Sequence, residues 1–260
     1  MERPKNLIIN ADDFGLSHSV NKCILKAFHN GLITQVSLMA VGHAVDEAIE
    51  MALDYNIPCG IHLAIVCEFD TFPFKPLTSM PVSLASSKYF HNDLKAFIHN
   101  ADPQEVEVEL ISQIEFLKGR GIKPLHFDSH IGTYKYDIIQ KLSKTYNVIN
   151  RDSFESGVSG QNVINTFFHL TIGNYLPIKL LRYKNYLSSI STGNHLVVCH
   201  PTDKNTEFEN WFSSSSYYRK RWALENRTTD YECLENVSYS DLLDELSIKL
   251  SCFNYYVNET

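Results

Sequence analysis

Short apolar runs alternate with amphipathic stripes along most of the 260 residues, and this alternation limits the fold more than any other feature. Residues 6–10 (NLIIN) read as a short buried strand. Val20, Ile24, Ala27 and Phe28 then share a helical face, with Ser17 as N-cap and Gly31 as the stop. Residues 35–39 form a second strand, and Val45, Ala48, Ile49, Ala52 and Leu53 a second helical stripe that ends before Pro58. Residues 60–63 (GIHL) begin a third strand. A helix starts at Asp102-Pro103, where Asp caps and Pro occupies the first turn, and its face runs through Val106, Leu110, Ile114 and Leu117. Strands at 125–128, 148–149 and 196–199 follow, separated by helices at Ile138–Tyr146 and Pro177–Ile190. A capped helix from Ser240 bearing Leu242, Leu243, Leu246 and Leu250, then a strand from Phe253 to Val257, complete the expected order.

Strands alternating with helices predict a parallel sheet with right-handed crossovers. Two closures compete, an open doubly wound sheet and a (β/α) barrel. No Gly-x-Gly-x-x-Gly or P-loop follows the first strand, which weakens the nucleotide-binding open sheet. About seven strands in this length suit a barrel. No internal repeat or long linker divides the chain, so a single domain over residues 1–260 is expected. Three stretches break the rhythm: residues 66–100 with Pro73, Pro76 and Pro81, residues 151–175, and a polar excursion containing Ser213 to Ser216. The first reads as a functional loop or lid.

Composition excludes several classes. No apolar run approaches the roughly 20 residues that span a bilayer. The first ten residues lack the apolar region of a secretory signal. A net charge of −7 argues against nonspecific nucleic-acid binding, and Arg219-Lys220-Arg221 reads as a solvated helix face. The six cysteines form no C-x-x-C pair, so reduced thiols and a cytoplasmic protein are expected.

Unusual polar groups gather at the C-terminal ends of the expected strands: Asp12-Asp13, His62, Asp128-Ser129-His130 and His200-Pro201. In a parallel barrel those ends open on one face, where catalytic residues collect. Adjacent carboxylates repel unless a cation or donors compensate. Asp12-Asp13 can alternatively be an Asx-turn capping the next helix. As neighbours on an extended segment their side chains are expected to diverge, one towards a metal and one towards substrate. His62 between apolar neighbours can be a plain core histidine, and the spacing of His126 and His130 is weak evidence on a strand. One carboxylate with two imidazoles suits zinc, or a harder divalent ion with added waters. His200, fixed at a strand end by Pro201, has the place of a general acid or base, or of a turn residue. There is no G-x-S-x-G elbow, and Cys199 lies in an apolar strand, which disfavours Ser and Cys nucleophiles.

Taken together, N-A-D-D-F-G at 10–15, G-I-H-L at 60–63, H-F-D-S-H at 126–130 and C-H-P at 199–201 resemble the YdjC-like carbohydrate deacetylases, the family of the ChbG-type chitooligosaccharide deacetylases. The resemblance spans nearly the whole chain. It implies a distorted (β/α) barrel of the glycoside hydrolase/deacetylase type and removal of acetyl groups from an N-acetylated mono- or oligosaccharide. It implies a divalent metal, Mg²⁺ or Zn²⁺, held by Asp13, His62 and His130, with Asp12 as general base and His200 as general acid. Asp128 would stand behind the ligands or beside the substrate. A homodimer is also suggested by the resemblance. One departure is visible: Gly132 and Tyr134 stand where the family often has further histidines, which bears on chitooligosaccharide specificity. Residues 151–190 carry no counterpart of a family motif. Two other readings are a glycoside hydrolase, which needs a carboxylate pair such as Asp12 and Asp128 across the sugar, and a binding protein without turnover.

Overall fold

The structure, a computed structural model, describes residues 4–69, 71–79, 82–86, 88–92, 97, 99–131, 136–155, 164–204, 207, 210, 222–238 and 241–253. Its first half follows the expected alternation closely: β1 (Lys5–Phe14), α1 (His18–His29), β2 (Gln35–Leu38), α2 (Val45–Asp54) and β3 (Cys59–Leu63). A two-stranded hairpin, β4 (Ala85–Ser86) and β5 (Tyr89–Phe90), interrupts the excursion. Then come α3 (Pro103–Gly119), β6 (His126–Ser129), α4 (Tyr136–Tyr146), β7 (Ile149–Asn150) and the single turn α5 (Asp152–Glu155). The remainder is β8 (Thr166–His169), α6 (Leu176–Ser189), β9 (Gly193–Cys199), a π-helical turn (Trp222–Asn226), α7 (Arg227–Ser238), α8 (Leu242–Glu245) and β10 (Ile248–Ser251).

Seven strands lie in the order β7-β6-β3-β2-β1-β9-β8, all parallel, and curl into a half-barrel. This is a distorted (β/α) barrel. β10 adds a parallel strand beside the first half of β1, on the edge that β2 occupies further along. The pleat sorts the side chains. Leu7, Ile9 and Ala11 of β1 and Val197 and Cys199 of β9 pack outward in the main core with the helices. Ile8, Leu196 and Val198 point inward and meet Ile149 and Phe253 in a small apolar plug.

A polar layer lies beyond this plug. Phe253 donates its N–H to Gln35 Oε1 (2.9 Å), Gln35 donates to Asn10 Oδ1 (2.8 Å), and Asn10 donates to Ser37 Oγ (2.9 Å). His126 completes it, 0 % exposed, with its ring edge-on to Phe253 at 5.0 Å. Buried amide and hydroxyl groups are tolerable because each finds a partner. The layer is also the floor on which the next inward-facing residues, Asp12, His62 and Asp128, stand.

The helices form where their caps and stripes indicate. Ser17 Oγ accepts from Val20 N (3.2 Å), and Asp102 Oδ1 accepts from Gln104 N (2.7 Å) ahead of Pro103. Gly31 takes a φ of 69° after α1, the left-handed stop that glycine accommodates.

Three expectations are corrected. Residues 151–175 are not uniformly irregular, since they carry α5 and β8. The helix from Ser240 ends at Glu245, because Ser247 turns left-handed (φ 54°) and residues 248–251 pair with β1 instead. α7 was not anticipated, because its buried face includes Arg227, Thr228, Thr229 and Asp230 and so shows little apolar periodicity. The rest of the expected strand from Phe253 to Val257, and Ser213 to Ser216, Gly132 and Tyr134, lie outside the described residues.

Gly60 shows how tightly the interior is drawn. A Cβ on Gly60 would collide with three atoms of the His126 ring. Gly60→Ala should therefore cost roughly 1–3 kcal/mol through overpacking. Chemical denaturation of the two proteins side by side will read this, and equal midpoints would show that the ring yields freely.

Candidate active site

β1 extends four residues past the expected Asn10 and carries Asp12 and Asp13 within the strand. Its register against β2 shifts between Ala11 and Phe14, and Asp13 adopts a φ of 68°. Asp tolerates this left-handed conformation better than most residues. The bulge changes the outcome expected for adjacent side chains. Rather than diverging to opposite faces, the two carboxylates bracket one imidazole. Asp13 Oδ1 lies 3.2 Å from His62 Nε2, and Asp12 Oδ2 lies 4.0 Å from His62 Nδ1.

Around this bracket the structure brings together all five residues singled out from the sequence. His130 follows β6 and places Nδ1 3.1 Å from Asp13 Oδ1 and 3.3 Å from His62 Nε2. The next residue, Ile131, has a φ of 54°, a strained conformation for a β-branched side chain. Strain of this kind persists only where surrounding contacts impose it. His200 follows β9, with Nε2 3.7 Å from Asp12 Oδ2. A cavity of about 420 Å³ opens over them, lined by Asp12, His62, Glu68, His130, Arg151 and His200 among others.

Each imidazole is held from behind by a carboxylate. His62 Nδ1 is in short contact with Asp128 Oδ1, and His130 Nε2 lies 2.9 Å from Glu68 Oε2. Each histidine thus turns its other nitrogen inward, beside Asp13 Oδ1. Three acceptor atoms within 3.1–3.3 Å of one another repel unless protons or a cation lie among them. Donors ~2.0–2.1 Å from a tetrahedral ion sit roughly 3.3 Å apart, so the spacing fits a metal. Carboxylate-backed imidazoles are the usual support of metal-binding histidines. A second buried trio, Asp12, His62 Nδ1 and Asp128, does not fit one. The Arg151 guanidinium already spans it, donating to both oxygens of Asp12 and lying 3.3 Å from Asp128 Oδ2.

The protonation pattern follows from these contacts. Burial disfavours the charged form of His62, but Asp128 and Asp12 outweigh it and push its pKa up to about 10. His130 is likewise pushed up to about 9 by Glu68 and Asp13 against the cost of burial. Burial raises the Asp13 carboxyl, yet Arg227, whose Nη1 lies 2.6 Å from Oδ2, and His130 hold it well below the usual range. Asp12 is lowered in the same way by Arg151 and His62. His200 goes the other way, since burial brings it down to about 4 and leaves it neutral near neutral pH.

Several participants were not anticipated. Arg151 directly follows β7, which runs one residue past the strand expected at 148–149, and Thr171 lies two residues past β8, a strand with no strong apolar run to mark it. Glu68 lies five residues past β3 in the excursion, and no local pattern marks it. Arg227 and Asp230 lie on the unforeseen α7. The aromatics Phe69 and Phe74 of the excursion are buried in the core.

The model of the family described as YdjC-like protein matches residues 6–245. The chain belongs to the YdjC-like family. Among curated relatives, a carbohydrate deacetylase of Geobacillus stearothermophilus is 29% identical over 84% of this chain and 86% of its own length. A carbohydrate deacetylase of Clostridium beijerinckii is 25% identical over 95% and 98%. A solved structure of a candidate cellobiose-phosphate cleavage protein from Enterococcus faecalis V583 superposes with a TM-score of 0.77 at 22% identity, covering 97% of this chain and 98% of that one. A family 4 carbohydrate esterase from Streptomyces lividans, solved with acetate, gives 0.54 at 10% identity, covering 96% and 93%. The two structures show that the YdjC-like chain shares their fold.

Two outcomes are expected for metal binding. His62 and His130 hold protons below about 10 and about 9 in the metal-free protein, so metal must displace them. Apparent affinity should rise as pH rises from acid towards that range, with close to two protons released. Titration calorimetry in buffers of different ionisation enthalpy measures the release, and none at neutral pH would contradict the pattern. Glu68→Gln, which removes the acceptor charge behind His130, should weaken metal binding roughly 10- to 100-fold. Chelator competition reads that loss directly.

Proposed function

We propose that this YdjC-like chain is a metal-dependent carbohydrate deacetylase that hydrolyses the acetamide of an N-acetylated mono- or oligosaccharide of the chitooligosaccharide type. The observation that carries this reading is one arrangement. Three acceptors converge, Asp13 Oδ1, His62 Nε2 and His130 Nδ1, and the two imidazoles among them line the same cavity as Asp12 and His200. The names of the curated relatives add weight, since both described above are carbohydrate deacetylases.

Asp13, His62 and His130 would hold the divalent ion, zinc or magnesium. When bound, that ion supplies Lewis-acid polarisation of the acetamide carbonyl and a lowered pKa for nearby water. The chain's own groups do the rest. Arg151 grips both oxygens of Asp12 and keeps the carboxylate ionised, ready to take a proton at the cavity face. As the water oxygen bonds to the carbonyl carbon, Asp12 accepts the water proton. His200, neutral at rest, must gain a proton at Nε2 before it can act as an acid, and Asp12, 3.7 Å away, passes on the proton it took from the water. His200 then gives that proton to the departing nitrogen, which also takes the electron pair of the breaking C–N bond. Acetate and a free amino sugar result.

The glycoside hydrolase reading finds no support in the geometry. It needs two carboxyl groups roughly 5–9.5 Å apart with the sugar between them. Ligand atoms of Asp12 and Asp128 lie within 4.8 Å of each other, and the Arg151 guanidinium joins the two residues. A cytoplasmic site of action is supported by six cysteines with no C-x-x-C spacing, five of them buried. No helix among the described residues is long and apolar enough to cross a membrane.

The test is acetate release from a panel of N-acetylated sugars, including N-acetylglucosamine and diacetylchitobiose, with metal-loaded and metal-stripped protein. Asp12→Asn and His200→Ala should each lower kcat by roughly 10²- to 10⁴-fold. His130→Ala should abolish the metal dependence. A metal-loaded protein that releases acetate from none of these sugars would overturn the reading.

A further inference from the structure

Behind His200 lies a buried chain of groups that the acetamide chemistry alone does not require. His200 Nδ1 is 2.7 Å from Thr171 Oγ1, and Thr171 Oγ1 is 2.6 Å from Asp230 Oδ2. The same Asp230 oxygen accepts the backbone N–H of His200 at 2.8 Å. Its other oxygen meets Lys179 Nζ, which also donates to the Asn226 carbonyl at 2.8 Å. Asp230 is 0 % exposed, Lys179 2 % and Thr171 4 %. Four separate elements contribute: the ends of β8 and β9, and helices α6 and α7.

Proton counting fixes the direction of this chain. Asp230 faces an ammonium, a backbone N–H and a hydroxyl, so it accepts from all three. Thr171 has one hydroxyl proton, and Asp230 takes it. Towards His200, Thr171 can therefore only accept. That places a proton on His200 Nδ1 and, in the neutral ring, leaves Nε2 as the basic nitrogen. We infer that Thr171 is a positioning residue that selects the Nδ1–H form of His200 and so aims the proton-accepting nitrogen at the cavity. The inference deepens the deacetylase reading and rests on it for its catalytic meaning.

The consequence is chemical. Nε2 and Asp12 Oδ2, 3.7 Å apart, are then both acceptors facing the reacting groups. A proton taken up at Nε2 leaves from the same nitrogen towards the departing amine, while Nδ1 stays bound to Thr171. The ring need not flip between the two events. With the opposite tautomer, Nε2 would already carry its proton, and the lone pair would face the buried Thr171.

The experiment uses the full-length protein labelled with ¹⁵N-histidine. His200 is assigned by comparison with His200→Asn, and nitrogen shifts are recorded near neutral pH, where the ring is uncharged. The wild type should show a proton on Nδ1 and a bare Nε2. Thr171→Ser keeps the hydroxyl and should keep this pattern. Thr171→Val removes the hydroxyl at similar volume, and the proton should move to Nε2. In acetate release Thr171→Val should lose roughly 10- to 100-fold in kcat with KM held within about threefold, and Thr171→Ser should recover most of it. A wild-type proton on Nε2, an unchanged pattern in Thr171→Val, or a shifted tautomer with unchanged kcat would overturn the inference. The resonance measurement needs neither sugar nor metal. Absence of acetate release from the wild type would therefore sink the deacetylase reading and leave the tautomer result to decide the role of Thr171.

Discussion

Charge balance inside the half-barrel is the constraint on which the site depends. The two imidazoles of His62 and His130 are touched by four carboxylates: Asp12, Asp13, Asp128 and Glu68. Two guanidiniums, Arg151 and Arg227, pair with three of those carboxylates. Two negative charges remain. In a low-dielectric interior uncompensated charge is costly, and here it can be met in two ways. Either both imidazoles carry protons, as their raised pKa values indicate, or one divalent cation replaces those protons. A monovalent ion would leave the cluster short. In the proposed metal site, a preference for a doubly charged ligand would be set by residues that never touch it as much as by those that would.

The layering of the interior serves the same end. An apolar plug of Ile8, Leu196, Val198 and Phe253 seals one side, and the amide and hydroxyl ladder of Gln35, Asn10 and Ser37 lies above it. Asn10 donates to Asp12 at 2.7 Å and Ser37 to Asp128 at 2.6 Å, so the ladder directly orients two of the carboxylates. Fixed dipoles that need no reorganisation during reaction are what electrostatic catalysis calls for. Parallel strands make this possible because inward-facing positions two apart stack in successive layers towards a single open end.

Much of this was legible in the sequence, and the failures have identifiable causes. Strand ends could be found wherever an apolar run preceded them, which is why Asp12, Asp13, His62, His130 and His200 stood out. The strand expected at 148–149 is β7, Ile149–Asn150, but a two-residue strand gives little weight to the Arg151 after it, and β8, with an exposed Thr166 and half-buried neighbours, has no apolar run to point to Thr171. The convergence of Asp12 and Asp13 was misread because period-two alternation holds only for regular strands, and a bulge at Asp13 breaks it. α7 was missed because polar groups form much of its buried face, Asp230 and Arg227 among them. Where a helix serves a site rather than a core, hydrophobic periodicity is the wrong signal.

The pairing of β1 has a consequence for how the protein is made. Its first half lies between β9 and β10, whose residues are added roughly 190 to 245 positions later. β1 therefore emerges from the ribosome soon before β2, which pairs with its second half, but long before β9 and β10 exist. Such non-local pairing slows folding and leaves unpaired strand edges open to wrong partners. During synthesis, the end of β1 that bears the acidic pair can find β2 early, while its first half must wait for β9 and β10.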